Sequence, residues 1–105
     1  MLQIKLEEDE TIISEAQAAH VIPTLMIPKP HPGIVYITNK RVVFSPTQGR
    51  LHSEFEYPLK DIESFSVGML NTLTLTTKEG KTHKITGMFN KKLIEGLTQV
   101  GINKI

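Results

Sequence analysis

The sequence contains no cysteine, which removes disulfide bridges, thiolate metal sites and cysteine nucleophiles together. Small secreted domains usually depend on such bridges. No uninterrupted apolar run approaches the ~20 residues needed to span a bilayer, and no Asn-x-Ser/Thr acceptor occurs. The start, Met1-Leu2-Gln3-Ile4-Lys5-Leu6, passes straight into Glu7-Glu8-Asp9-Glu10, so no apolar core of a signal peptide forms. The expectation is a cytoplasmic protein, or a cytoplasmic piece of one that is peripheral to a membrane. Charge of one sign is lacking too: 12 Lys+Arg against 11 Asp+Glu leave a net +1. That is not the bulk charge of a nucleic-acid coat protein.

Reactive constellations are equally scarce. The glycines match neither a phosphate-binding loop nor a dinucleotide fingerprint, and no Gly-x-Ser-x-Gly occurs. His20, His31, His52 and His83 include no i, i+4 pair and no carboxylate at ligand spacing, so they are expected as separate surface or edge histidines with no metal. Glu7 to Glu10 lack the alternating oxygen ligands and turn glycine of a calcium loop. No enzyme and no cofactor are expected. Nucleic-acid binding would call for a basic stripe interleaved with aromatics. Of Tyr36, Phe44, Phe55, Tyr57, Phe65 and Phe89, only Phe89 falls where exposure is expected.

What is present suits one globular domain over residues 1–105, with 39% hydrophobic and 22% charged residues. Size scaling puts about 65% of its unfolded surface out of water on folding. The balanced total hides a split. Through His20 there are five carboxylates and one lysine; thereafter there are eleven basic and six acidic residues. Residues 1–10 read as an acidic, solvated lead-in to a mildly basic domain.

Periodicity gives the elements. Thr11 to Met26 reads as one long, bulged strand region. Pro28-Lys29-Pro30-His31-Pro32-Gly33 reads as a stiff exposed loop, since its prolines cannot donate to a ladder. Gly33–Thr38 and Arg41–Ser45, rich in β-branched and aromatic residues and separated by Asn39-Lys40, form a hairpin. Both of its strands are apolar on both faces. Phe55 and Tyr57, Ile62–Val67, Thr72–Thr77 and Thr82–Thr86 supply further strands. From Asn90 the period changes: Leu93, Ile94, Leu97 and Val100 make one helical stripe, with Asn90 as N-cap and Gly101 as C′ residue. The predicted fold is mainly β, an antiparallel barrel closed by a helix at 90–101.

Gly33-Ile34-Val35-Tyr36-Ile37-Thr38-Asn39-Lys40-Arg41-Val42-Val43-Phe44 resembles the hairpin of GRAM domains and bacterial PH-like domains. Tyr57-Pro58-Leu59-Lys60-Asp61-Ile62 and Asp9-Glu10-Thr11-Ile12-Ile13 resemble two further elements of that group, in the right order. The resemblance implies a PH-like barrel of about seven antiparallel strands in two near-orthogonal sheets, with one C-terminal helix. It also implies a non-catalytic binding module that docks a protein partner or an anionic membrane surface. The family's lipid-binding members concentrate cations in the loop between the first two strands, where this chain offers only Lys29 and His31. With neighbouring loops added, the candidate headgroup-binding residues are Lys29, Arg50, Lys78 and Lys81. Arg41 is expected to act structurally, its head paired with a carboxylate such as Asp61. The alternative function is a self-assembling homo-oligomer that uses the apolar strand faces.

Overall fold

The structure, a computed structural model, describes residues 4–23, 27–47 and 54–105. Eight strands and one helix follow in order: β1 (Ile12–Ile22), β2 (Lys29–Thr38), β3 (Arg41–Pro46), β4 (Phe55–Pro58), β5 (Ile62–Val67), β6 (Leu73–Thr77), β7 (Thr82–Thr86), α1 (Asn90–Gln99) and β8 (Asn103–Lys104). Their order across the sheet is β4-β3-β2-β1-β7-β6-β5-β8. The seven expected antiparallel strands are present, and a two-residue β8 adds in parallel beside β5. Hydrogen bonding runs unbroken through β1, which pairs β2 along its length and β7 at Ala19–Val21. A register shift at Ile12/Ser14 supplies the bulge in β1. Strands β4 and β5 are not neighbours in the sheet, so the barrel stays open between them.

Alternation along the strands fills the interior. Val35, Ile37, Val42, Phe44, Phe65, Leu73, Leu75 and Ile85 are buried there, and α1 adds Leu93 and Leu97. At about 25 cal/mol per Å² of apolar surface, each such side chain contributes on the order of 2 kcal/mol. Gly33 marks where β2 and β3 converge: a Cβ there would lie 2.5 Å from the Ser45 carbonyl oxygen and 2.7 Å from the Phe44 ring. The helix ends as expected. Gly101, at φ 88°, donates its N–H to Thr98 O and Ile102 donates to Leu97 O, the paired bonds of a Schellman cap.

Two local expectations are corrected. The proline segment is not a loop, because β2 begins at Lys29 and includes Pro30 and Pro32. Pro32 turns its carbonyl toward Thr47, whose N–H it accepts at 3.0 Å, so its nitrogen faces that side and away from β1. Pro30 has the same parity and lies beyond the end of β3, so neither missing N–H interrupts the β1–β2 ladder. Asn90 is not an N-cap either. It is fully buried, and its Nδ2 donates to Asn71 O at 2.8 Å and Ile85 O at 3.0 Å.

The segments that carried the family resemblance meet in one place. Glu10 is buried, while Glu7, Glu8 and Asp9 are exposed. Its carboxylate accepts from Arg41 Nε at 2.8 Å, Arg41 Nη2 at 2.9 Å, Thr38 Oγ1 at 2.6 Å and the Glu7 N–H at 2.9 Å. This is a bidentate charge-assisted fork. Arg41 also reaches Lys5 O at 2.6 Å and Glu56 Oε1 at 3.1 Å. Its partners are therefore Glu10 and Glu56, not Asp61, which is exposed. The guanidinium holds the Glu10 carboxyl down to about 2, against the usual 4.5, with Thr38 and the Glu7 N–H adding to the effect and burial opposing it. Residues 5–10 are thereby strapped to the outer side of the β2–β3 hairpin, where Tyr36 and Val43 are buried.

Candidate functional site at the open end of the barrel

The helix blocks one end of the barrel by packing along the start of β1, where Ser14 Oγ donates to Lys92 O at 2.8 Å. The other end is formed by the last residues of β1, the first of β2 and the β6–β7 turn. Here the inward positions are polar. His20 stands directly opposite His31 across β1 and β2. His83 lies diagonal to His20, which pairs in register with Ile85. Tyr57 Oη and His83 Nε2 are 2.7 Å apart, and His83 Nδ1 and His20 Nε2 are 3.1 Å apart. The expectation of separate surface histidines is corrected for this pair; His52 lies outside the described residues.

Aromatic rings enclose the chain of hydrogen bonds. His83 stacks on Phe55 with ring centroids 4.6 Å apart. His20 meets Phe44 and Phe55 edge-on at 5.3 and 5.1 Å. Burial among these rings, then His20, then Lys81, pulls His83 down to about 4 from the usual 6.5. A neutral His83 has one donor and one acceptor, so a hydroxyl proton given to Nε2 requires Nδ1–H to face His20. The reverse polarity satisfies the same contacts. No carboxylate orients these imidazoles in the contacts described, and among the described residues no three His, Cys, Asp or Glu groups could hold a metal. His31 Nδ1 is buried without a hydrogen-bond partner in the structure. The cluster is a floor with an aromatic face, in which His83 is held neutral.

Three of the four sequence-derived cations have described positions, all exposed: Lys29 opens β2, and Lys78 and Lys81 flank the β6–β7 turn. Arg50 lies outside the described residues. Lys29 pairs with Ile22 while Lys84 pairs with Val21, so only β1 separates β2 from β7. Lys29 has the parity of the inward His31 and Lys84 the outward parity, so the two lie near one rim but on opposite faces of the sheet. Lys81 is close enough to bear on His83. Lys78 sits at the far side of the turn, its N–H donating to Asp61 O at 2.9 Å. Sequence reasoning did not single out Lys84, which lines a shallow depression of about 240 Å³ with Val21, Pro23, Pro28 and Thr82. Its alternation with the inward His83 was the available signal.

This architecture, with seven antiparallel strands around an open mouth and a C-terminal helix over the opposite end, defines a PH-like domain. A family model described as GRAM domain matches residues 2–100, and the chain belongs to that family. Two solved structures share the fold. One is the C-terminal domain of an unknown protein from Leishmania infantum, at TM-score 0.69 and 18% identity, with 89% of this chain and 86% of that chain covered. The other is the Vps36 N-terminal PH domain, at TM-score 0.61 and 17% identity, with 91% and 85% covered. Comparison with curated protein sequences gave no match. GRAM and PH-like domains are in general non-catalytic modules that bind membrane lipids or proteins. Among the described residues, no helix is long and apolar enough to cross a membrane.

Proposed function

We propose that this chain is a non-catalytic docking module that recognises an anionic membrane surface through the open end of its barrel. Lys29, Lys78 and Lys81, together with Arg50, are the proposed headgroup-binding cations. The observation that carries this reading is the double pairing of β1, which brings the start of β2 and the β6–β7 turn to one rim. Cations converging on one rim suit phosphate oxygens, which need several charge-assisted donors together.

Co-sedimentation with phosphatidylserine-containing vesicles tests it. Binding is expected at low salt, weakened in the Lys29→Ala, Lys81→Ala double variant and reduced as salt rises. Acidic vesicles that bring down no protein at low salt, where screening is weakest, would overturn the reading.

A further inference from the structure

Two loops at the opposite ends of β6 and β7 carry side chains that folding alone does not account for. The β5–β6 loop presents Met69 and Leu70, 87% and 94% exposed, and the β7–α1 link presents Met88, 88% exposed, beside the half-exposed Phe89. Leu70, Asn71, Thr72, Thr86, Gly87 and Met88 line a cavity of about 520 Å³ between them. The Asn90 side chain joins the loops through Asn71 O, so the apolar tips stand on a fixed base. Leu70 is held at φ 55° and Asn71 at φ 59°. A left-handed leucine costs roughly 1–2 kcal/mol, and nothing in the fold is gained by that side chain in water. Strain of this kind collects where a surface is used.

The surroundings select the partner. The outward positions of β6 and β7 are Thr74, Thr76, Thr82, Lys84 and Thr86, a strip with hydroxyls, one cation and no carboxylate. Lys84 borders both the depression at the rim and a second one beside Met69. Lys91 and Lys92, both exposed, follow Phe89. Protruding apolar tips bordered by ammonium groups match a lipid interface, where the tips enter the acyl boundary and the cations meet phosphates. A second copy of this chain fits less well, because a self-complementary contact would set the Lys84 strips against each other.

We infer that Met69, Leu70 and Met88 insert into an anionic bilayer and lay the outer β6–β7 face along its headgroups. The inference rests on the membrane reading above and adds a second contact, one β-strand's length (about 16 Å) from the rim.

Partition onto phosphatidylserine-containing phosphatidylcholine vesicles separates the two contacts. Leu70→Asn suits the left-handed backbone and leaves thermal stability unchanged or higher. Combined with Met88→Ser, it lowers partition at least about tenfold, and the binding that persists for the wild type at high salt disappears. Leu70→Trp, in a chain with no other tryptophan, shifts its emission to the blue on vesicles. Partition of the Leu70→Asn, Met88→Ser variant equal to that of the wild type, or Leu70→Trp emission unmoved under conditions where the protein binds, overturns insertion and leaves the rim reading standing. A concentration-dependent dimer abolished by Leu70→Asn overturns it in favour of self-association. Wild-type protein that ignores acidic vesicles at low salt overturns both readings.

Discussion

Replacing Glu10 by Gln tests whether the strap over the β2–β3 hairpin is held by charge. The side chain keeps its length and loses its formal charge. Its amide NH2 then faces either Arg41 Nε and Thr38 Oγ1 or Arg41 Nη2 and the Glu7 N–H, all of which donate to the native carboxylate. The folded carboxyl lies near 2 rather than 4.5, and at 1.36 kcal/mol per pKa unit that difference is about 3 kcal/mol of stability at pH 7. Breaking a buried pair by removing one partner costs about 3–5 kcal/mol by an independent route. The Glu10 side chain is 0% exposed and that of Arg41 12%, so screening takes little from either figure. About 3 kcal/mol at 4–8 °C each lowers the melting temperature of a domain this size by roughly 15 °C. The pH dependence carries the sharper signature. A depressed carboxyl contributes its stability above 4.5 and loses it as pH falls toward 2. In melts followed by circular dichroism from pH 7 to pH 2, the gap between wild type and Glu10→Gln is therefore wide at pH 7, narrows below 4.5 and closes near 2. A gap under about 1 kcal/mol at pH 7, or one that stays constant with pH, refutes the charge account. Glu56→Gln serves as control: its side chain is 58% exposed, and the loss is below about 1 kcal/mol.

Two further outcomes follow from the interior polar groups. His83, held near 4, stays neutral in the fold, so its contribution is complete above pH 6.5 and is lost as pH falls from 6.5 toward 4. Solvent access to this half-buried ring limits that contribution to about 1–2 kcal/mol. Imidazole NMR should find its midpoint near 4, and a midpoint above 6 contradicts the enclosed floor. Asn90→Asp turns two donors into an oxygen facing Asn71 O and Ile85 O, for an expected loss of about 3 kcal/mol at pH 7. Denaturant unfolding that places Asn90→Asp within about 0.5 kcal/mol of wild type would show that these bonds are dispensable.

The elements were legible where side-chain period and local turn chemistry speak for themselves. The Thr38–Arg41 turn, the Leu73/Leu75 alternation and the Leu93/Leu97 stripe are all local signals, and all are found. Pairings between distant segments were not legible. Asp61 was the natural partner for Arg41 by proximity in an adjacent motif, yet the bulged start of β1 and its lead-in carry Glu10 across 31 residues to the guanidinium. His20 and His83 are 63 residues apart, and only the β1–β7 ladder makes them neighbours. The proline segment misled because a missing N–H matters only on the side where a partner strand stands. Met69, Leu70 and Met88 carry no local mark either. An apolar residue reads the same whether it will be core or tip, although Phe89 was placed correctly by its position just before the helix.

The central place of β1 also has a kinetic meaning. The hairpins β1–β2, β2–β3 and β6–β7 each close a short loop, whereas the β1–β7 ladder must join residues more than sixty positions apart. Loop-closure entropy delays such a pairing, and barrels built on it fold in milliseconds to seconds rather than microseconds. The histidine floor and the cationic rim belong to that late step. A chain still emerging during synthesis can assemble its amino-terminal hairpins, but it has no open end to present until β7 has been made and has found β1.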